Sequence, residues 1–162
     1  MIRARPVAGS CELGDTIRGL LSGFVYEKPF DEGEVAKIRA IRAKAVEQSA
    51  KRHPGLVNVK SGAGGLSDIT FIAQTYAVMY GREHPAVRTR KTVDILRALG
   101  EEKLIDRGGA RALADAWLFL ADVEQAIRIG TGRSVNTVPA EGVEAARIAR
   151  LLGFRNVPRF LK

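Results

Sequence analysis

The strongest helical pattern in the chain begins directly after the glycine-rich segment 62–65. Apolar side chains recur there at offsets 0, 3, 4, 7, 10 and 11, namely at Ile69, Ile72, Ala73, Tyr76, Met79 and Tyr80. Because an α-helix repeats every 3.6 residues, this spacing places the side chains in one stripe on a helix that Gly81 ends. We predict that this helix is the spine of the core.

Other parts of the chain show the same period. Helical stripes occupy residues 12–24, 35–52, 92–99, 110–129 and 143–152, and glycine or proline follows most of them. Residues 56–60 are compatible with a short extended stretch, but no segment alternates convincingly with the period of a strand. The sequence therefore predicts an all-α fold, a bundle or array of about six helices joined by short loops.

Size and charge limit the class of protein. The 162 residues are 46% hydrophobic, so one globular domain with its own core is expected. Lys and Arg number 26 against 18 Asp and Glu, and the resulting charge of +8 favours acidic partners such as ATP, nucleic acid or an acidic protein surface. Only 6% of residues are aromatic and no nucleic-acid-binding motif is present, which makes nucleic acid the weakest of these partners.

The residue types that carry chemistry are scarce. Cys11 is the only cysteine and the two histidines, His53 and His84, are far apart, so neither a disulfide nor a metal site is predicted. There is no catalytic triad and no Asp-x-Asp pair that would hold magnesium, so we predict no catalytic residue. No apolar run has the roughly 18–20 residues that span a bilayer, and no signal peptide is visible, so a cytoplasmic location is expected.

One segment combines features of an anion site. Lys60, Gly62, Gly64 and Gly65 precede the start of the strongest helix, where flexible backbone and exposed N–H groups favour a negative ligand. The segment is neither a Walker loop nor a dinucleotide fingerprint. The alternative is a tight turn in which Ser67 or Asp68 stabilises the first turn of the helix.

Three further groups are candidates for contacts. Ser67, Thr70 and Gln74 form a polar strip that faces either a partner domain or water. Glu124 lies on an apolar stripe and therefore requires a partner, for which Lys60, Arg128 and Arg90 are candidates. The basic helix 35–52 carries Lys37, Arg42 and Lys44, which either face water or bind a partner.

Residues 59–74, VKSGAGGLSDITFIAQ, closely resemble the segment VKxGxGG(I/L)xDIEFxxQ of glutamine-synthetase adenylyltransferases. The resemblance continues through residues 80–85, 92–99, 117–124, 133–139 and 151–154 and so covers nearly the whole chain. Residues 2–9, IRARPVAG, resemble the junction that follows a nucleotidyltransferase domain in that family. Thr70 is the main departure, because the family usually has Glu there, which puts direct support of catalysis in doubt.

The resemblance implies a division of labour. These enzymes carry two nucleotidyltransferase domains, each followed by a helical domain, and they attach AMP from ATP to a tyrosine of glutamine synthetase, or remove it, to control nitrogen assimilation. Residues 1–10 would be the junction and 11–162 the helical companion domain. The sequence of this domain looks more like that of the C-terminal, adenylylating half. The carboxylates that bind Mg²⁺ would lie upstream, so this chain alone is expected to hold no cofactor and to be inactive.

The same resemblance assigns roles to residues. Lys60, Gly62, Gly64 and Gly65 would contact a phosphate or the neighbouring domain, and the interdomain set would be Ser67, Asp68, Thr70, Gln74, Glu124 and Arg128. Two alternatives remain: a module that docks PII signal protein or glutamine synthetase through Lys37, Arg42 and Lys44, and the related helical domain of PII uridylyltransferase.

Overall fold

A computed structural model describes residues 2–28, 30–139 and 141–160 and confirms the all-α prediction. The helices are α1 (Cys11–Tyr26), α2 (Glu32–Arg52), α3 (Leu66–Tyr80), α4 (Thr92–Glu101), α5 (Arg107–Thr131), α6 (Gly142–Leu151) and the four-residue α7 (Val157–Phe160), with a 3-10 turn at Pro85–Val87. Two-residue strands β1 (Val57–Asn58) and β2 (Thr137–Val138) pair antiparallel, with Val57 opposite Val138. A strand of two residues has no alternating pattern, which is why the sequence indicated only an extended stretch at β1 and nothing at β2.

Local chemistry explains several helix ends. The hydroxyl of Ser10 accepts a hydrogen bond from the backbone N–H of Leu13 and caps α1. The carboxylate of Asp106 accepts from the N–H of Gly109 at 2.7 Å and stabilises the start of α5. Helix α3 ends before Gly81, where a β-carbon would collide with the ring of Tyr26. Only glycine fits there, and the helix ends at Tyr80, directly before Gly81, as the sequence predicted.

The chain divides into two compact units. The first comprises Met1–Ile38 with Thr70–Ala114, and the second Arg39–Ile69 with Asp115–Lys162. Burial in the first unit is most complete on α4 and around the 3-10 turn, at Val87, Ile95, Leu96 and Leu99. In the second unit one apolar cluster joins β1, β2, α5 and α6, and its buried members are Val59, Val123, Ala126, Ile127, Val138 and Ile148.

The faces of two helices differ from the sequence pattern. The α1 stripe is largely exposed, since Leu13, Ile17, Leu20 and Phe24 each keep between 47% and 71% of their surface. On α3 the prediction that the stripe forms the spine of the core is partly wrong, because Ile72 and Met79 are exposed. Ile69 and Ala73 of the predicted stripe are buried, together with Leu66 and Ala77, which the stripe did not include. Small alanines let neighbouring atoms approach closely, and a hydropathy stripe gives them little weight.

No helix in the described ranges is long and apolar enough to cross a membrane.

Candidate functional site

The glycine-rich turn between β1 and α3 is held by its own backbone. The N–H of Gly62 donates to the carbonyl of Asn58 at 2.9 Å, and that of Gly65 to Gly62 at 3.1 Å. The N–H groups of Leu66 and Ser67, which open α3, donate to the carbonyls of Val59 and Lys60, each at 2.9 Å. The turn therefore folds back on the strand that precedes it.

The glycines at 62 and 65 are required by close approach. A β-carbon at Gly62 would lie 2.5 Å from the carbonyl oxygen of Asn58, and one at Gly65 would lie 2.7 Å from that of Val59. Gly64 has open space around it but a φ of +71°, a conformation that side chains with a β-carbon rarely adopt. Each of the three positions thus has its own physical reason for glycine.

Side chains accept from three further N–H groups of the turn. The carboxylate of Asp68 accepts from the N–H of Gly64 at 2.7 Å, and the side-chain oxygen of Asn58 accepts from the N–H groups of Lys60 and Ser61. The N–H groups of Gly62, Gly64 and Gly65 are therefore all engaged within the chain. Asp68, in the first turn of α3, thus fastens the helix to the glycine-rich turn that precedes it.

Arg42 holds the turn from the side of α2. Its Nε donates to the Asp68 carboxylate at 2.5 Å, and a terminal nitrogen donates to the carbonyls of Ser61 and Gly62 at 3.0 and 2.9 Å. The Arg42 side chain is only 10% exposed. Its position contradicts the expectation that Arg42 belongs to an exposed docking face. Ser49, which is also buried on α2, shares a 3.0 Å hydrogen bond with the hydroxyl of Ser61.

Glu124 on α5 has the partners that its position requires. Its carboxylate lies 2.9 Å from Arg128 and 3.5 Å from the ammonium group of Lys60, as two of the three candidate pairings anticipated. With its amide nitrogen facing these acceptors, Asn136 donates to Glu124 at 2.9 Å and to the carbonyl of Val135. Arg90, the third candidate, lies in the first unit. The cluster ties the turn, α5 and the segment before β2 together within the second unit.

The Glu124 cluster has one exposed side and one unsatisfied group. The side chain of Lys60 is 51% exposed, whereas that of Glu124 is 13% exposed. Nε of Arg128 is buried and has no hydrogen-bond partner within the described part of the chain. Two cations around one carboxylate leave a net positive charge, which Lys60 presents at the surface.

The polar strip of α3 is divided between the two units. Ser67 and Asp68 belong to the second unit, while Thr70 and Gln74, both half-buried, belong to the first. The Thr70 hydroxyl lies 3.5 Å from that of Thr92, which accepts a 2.9 Å hydrogen bond from Arg3. The hydroxyl of Thr92 therefore lies between the Arg3 cation and Thr70.

Of the expected docking residues, Lys37 and Lys44 are exposed on α2. The ammonium group of Lys37 donates to Glu34 at 2.7 Å, and this hydrogen bond with the nearby negative charge raises the pKa of Lys37. Part of the positive charge on α2 is thus neutralised within the helix.

Within residues 2–28, 30–139 and 141–160, no group of three or more His, Cys, Asp or Glu side chains lies close enough to hold a metal ion.

The sequence pattern missed Asn58 and Asn136 as members of the site. An Asn two residues before a backbone N–H commonly accepts its hydrogen bond, so the pair Asn58 and Lys60 was a usable signal. Asn136 is in the segment 133–139 that resembles the family, but its partner Glu124 is on another element, and no local spacing links the two.

Comparison with known proteins places this fold in a class. The family model described as GlnD PII-uridylyltransferase matches residues 37–161, which include the turn, the Glu124 cluster and most of the helices. The chain belongs to this family of helical domains.

Within that class, several similar curated proteins carry the same name. Bifunctional glutamine synthetase adenylyltransferase/adenylyl-removing enzymes are 35% identical over 163 residues in Rhizobium meliloti, 33% over 155 in Cutibacterium acnes and 31% over 153 in Xanthomonas oryzae. These matches cover 98%, 96% and 94% of this chain but 16% of each relative. The chain thus corresponds to about a sixth of the length of these enzymes.

Proposed function

We propose that this chain is the helical companion domain of a glutamine-synthetase adenylyltransferase, the enzyme that transfers AMP from ATP to a tyrosine of glutamine synthetase. The observation that carries the proposal is similarity over nearly the whole chain to enzymes of that name. ATP and Mg²⁺ are the cofactors of the parent reaction. The chain itself supports the reaction without transferring AMP.

In this role, the glycine-rich turn and Lys60 form a surface that contacts another domain of the enzyme. Because the N–H groups of Gly62, Gly64 and Gly65 are all used within the turn, they favour a rigid contact surface over a phosphate cradle. Lys60, half-exposed and backed by Glu124, presents the charge of this surface. The partner is a nucleotidyltransferase domain of the same enzyme.

A chimera tests the proposal directly. The matching segment of the Rhizobium meliloti relative is replaced by this chain, and AMP transfer to glutamine synthetase is measured with ATP and Mg²⁺. The isolated 162-residue chain is assayed in parallel. We expect transfer by the chimera and none by the isolated chain. Transfer by the isolated chain would overturn the companion role, and so would a folded but inactive chimera.

Substitution at Lys60 tests the contact surface. In the chimera, Lys60→Met removes the exposed cation and should lower AMP transfer by roughly tenfold, the effect of losing about one charged contact. Lys91→Met removes an exposed lysine just before α4 and is the matched control. Equal activity of the two variants would contradict a role for Lys60.

A second candidate function is docking of PII signal protein or glutamine synthetase through α2. Its support is the exposure of Lys37 and Lys44 on a helix of 21 residues. The double change Lys37→Glu with Lys44→Glu should then weaken binding to one of these proteins, and the effect should shrink with added salt. Lys91→Glu with Arg97→Glu, at two exposed positions before and on α4, is the control for the same loss of net charge. Unchanged affinity would exclude α2 as the docking face.

The matching family model also carries a uridylyltransferase description, which defines a third assay. The same chimera is supplied with UTP and PII signal protein in place of ATP and glutamine synthetase. Uridylyl transfer that exceeds AMP transfer would move the chain to the PII uridylyltransferase branch.

A further inference from the structure

A cavity of about 330 Å³ lies in the first unit, away from the residues of the proposed contact surface. Helix α1 and the segment that follows the 3-10 turn form most of its wall. Its polar lining consists of Arg18, Ser22, Tyr26, Arg88, Thr89 and Arg90. All three arginines are exposed residues, and several like charges at one small cavity create a local positive potential that attracts an anion.

Among the described residues, Arg18 is the only one of these three arginines that pairs with a carboxylate. Asp15 pairs with Arg18, and both side chains are largely exposed, so this pair is weak. Arg90 makes no hydrogen bond or ion pair with the residues that the structure describes, and Arg88 bonds only to carbonyl oxygens there. The cavity therefore keeps a surplus of positive charge.

Arg88 is held in a fixed orientation. Its Nε donates to the carbonyl of Gly81 at 2.6 Å, and one terminal nitrogen donates to that of Arg82 at 3.2 Å. The guanidinium carbon lies 5.0 Å from the centre of the Tyr26 ring. These contacts leave the other terminal nitrogen for a ligand and lower the entropy lost when it binds.

Neutral donors complete the lining. Ser22 and Thr89 each carry a hydroxyl that donates or accepts, and Tyr26 adds a phenol. Burial raises the pKa of Tyr26, and the Arg88 cation offsets only part of this effect, so the phenol stays protonated at neutral pH and acts as a donor.

We propose that this cavity binds a small phosphate monoester. A phosphate monoester carries close to two negative charges and three terminal oxygens, which suit several guanidinium groups with neutral hydroxyl donors beside them. The cavity lies at the small end of the range of ligand pockets, roughly 300–1,000 Å³, which favours a metabolite over a peptide or a polymer. The site needs no AMP transfer and goes beyond the proposed function.

Calorimetric titration of the 162-residue chain at low salt tests the proposal. The probes are ribose 5-phosphate, inorganic phosphate and, as a dicarboxylate, succinate. We expect one equivalent of ribose 5-phosphate to bind, with inorganic phosphate competing for the same site. Succinate should bind at least roughly tenfold more weakly, since each of its carboxylates presents only two oxygens and one charge. Absence of phosphate binding, or equal affinity for succinate, would overturn the assignment.

Variants separate the cavity from the general positive field. Arg90→Gln should weaken ribose 5-phosphate binding by roughly tenfold, since it removes a charge-assisted contact. Arg97→Gln removes the same charge from the exposed face of α4 and should change affinity by less than about twofold. Equal losses in the two variants would mean non-specific attraction and would overturn the site.

Two further changes leave the arginines in place. Ser22→Leu fills the cavity and should abolish binding, with circular dichroism to confirm that the helices remain. Asp15→Asn removes the competing carboxylate and should tighten binding. Retained affinity in a folded Ser22→Leu variant would place the ligand elsewhere. Because the readout is binding to this chain, its outcome is independent of the AMP-transfer assays.

Discussion

Arg42 is the residue on which the glycine-rich turn most depends. It donates to one carboxylate and two carbonyl groups, and its side chain is only 10% exposed. Arg42→Met would leave Asp68 without its cation and the carbonyls of Ser61 and Gly62 without this donor. We expect the free energy of unfolding in urea to fall by about 3–5 kcal/mol, the usual cost of breaking a buried pair.

The matched control for this prediction is Arg39→Met, one turn earlier on α2. Arg39 is exposed, and a surface substitution of this kind changes stability by less than about 0.5 kcal/mol. Equal midpoints for the two variants would show that Arg42 does not hold the turn.

Tyr26 makes stability depend on alkaline pH. Burial raises the pKa of its phenol above the ordinary value of about 10, so the folded state keeps the proton to higher pH than the unfolded state. The stabilisation is complete below pH 10 and is lost as the pH rises through the folded pKa. Denaturation at about pH 9 and about pH 11.5 should show a smaller loss for Tyr26→Phe than for the unchanged chain. Equal losses would contradict the raised pKa.

Glu124 and Arg42 differ in how far the sequence alone predicted their contacts. Glu124 interrupts an apolar stripe, so its need for a cation was visible, and Lys60 and Arg128 supply it. Arg42 follows a helix pattern in which buried and exposed arginines look alike. Its partner Asp68 is 26 residues away, and only the folded chain brings them together.

At the scale of elements, the β1–α3 turn predicts an order of stabilities for alanine variants. Gly65→Ala places a β-carbon 2.7 Å from one carbonyl oxygen and 3.0 Å from another, and rigid backbone cannot move aside, so we expect a loss above about 2 kcal/mol. Gly64→Ala meets no atom within 4 Å but keeps a positive φ, which costs roughly 1–2 kcal/mol.

Gly19 provides the control with the opposite sign. It lies inside α1, and a β-carbon added there would meet no atom within 4 Å, so Gly19→Ala should stabilise the chain by roughly 0.5–1 kcal/mol through helix propensity. Thermal unfolding of the three variants gives the order directly. A Gly65→Ala variant as stable as Gly64→Ala would show that the turn relaxes around the added carbon.

Periodicity predicted where the helices lie along the chain, but it predicted only in part which face of each helix is buried. The apolar stripe of α1 marks a real helix whose apolar residues are mostly exposed. On α3 the fully buried positions are Ala73 and Ala77, which carry little hydrophobic weight. Periodicity reports which residues share a face, whereas the packing of distant segments decides which face is covered.

At the scale of the molecule, the limits of the two units fall inside helices. Helices α2, α3 and α5 each have residues in both units. The polar strip of α3 looked like one feature in the sequence, yet Ser67 and Thr70 belong to different units. A division of this kind arises from contacts between distant segments, so no local pattern in a continuous helix predicts it.

The net charge of +8 predicts how the whole chain responds to salt. Self-repulsion destabilises a compact molecule of high net charge, and raising NaCl from about 0.01 M to about 0.15 M shortens the screening length from roughly 30 to 8 Å. The same salt weakens exposed ion pairs such as Lys51 with Glu47 and Arg133 with Glu144, but such pairs contribute little. The relief of repulsion should outweigh the weakening of these ion pairs, so we expect the melting temperature to rise by a few degrees as NaCl is added.

Lys37→Glu with Lys44→Glu is the control for the salt effect, because it lowers the net charge by about four and leaves the buried Arg42 in place. The melting temperature of this variant should rise less with salt than that of the unchanged chain. If the melting temperature of the unchanged chain fell as NaCl was added, its surface ion pairs would outweigh the repulsion.

Sodium phosphate at equal ionic strength should raise the melting temperature further, since a ligand of the folded state adds stability by mass action. Arg90→Gln should remove this extra rise and keep the response to NaCl, which separates screening by salt from occupation of the cavity.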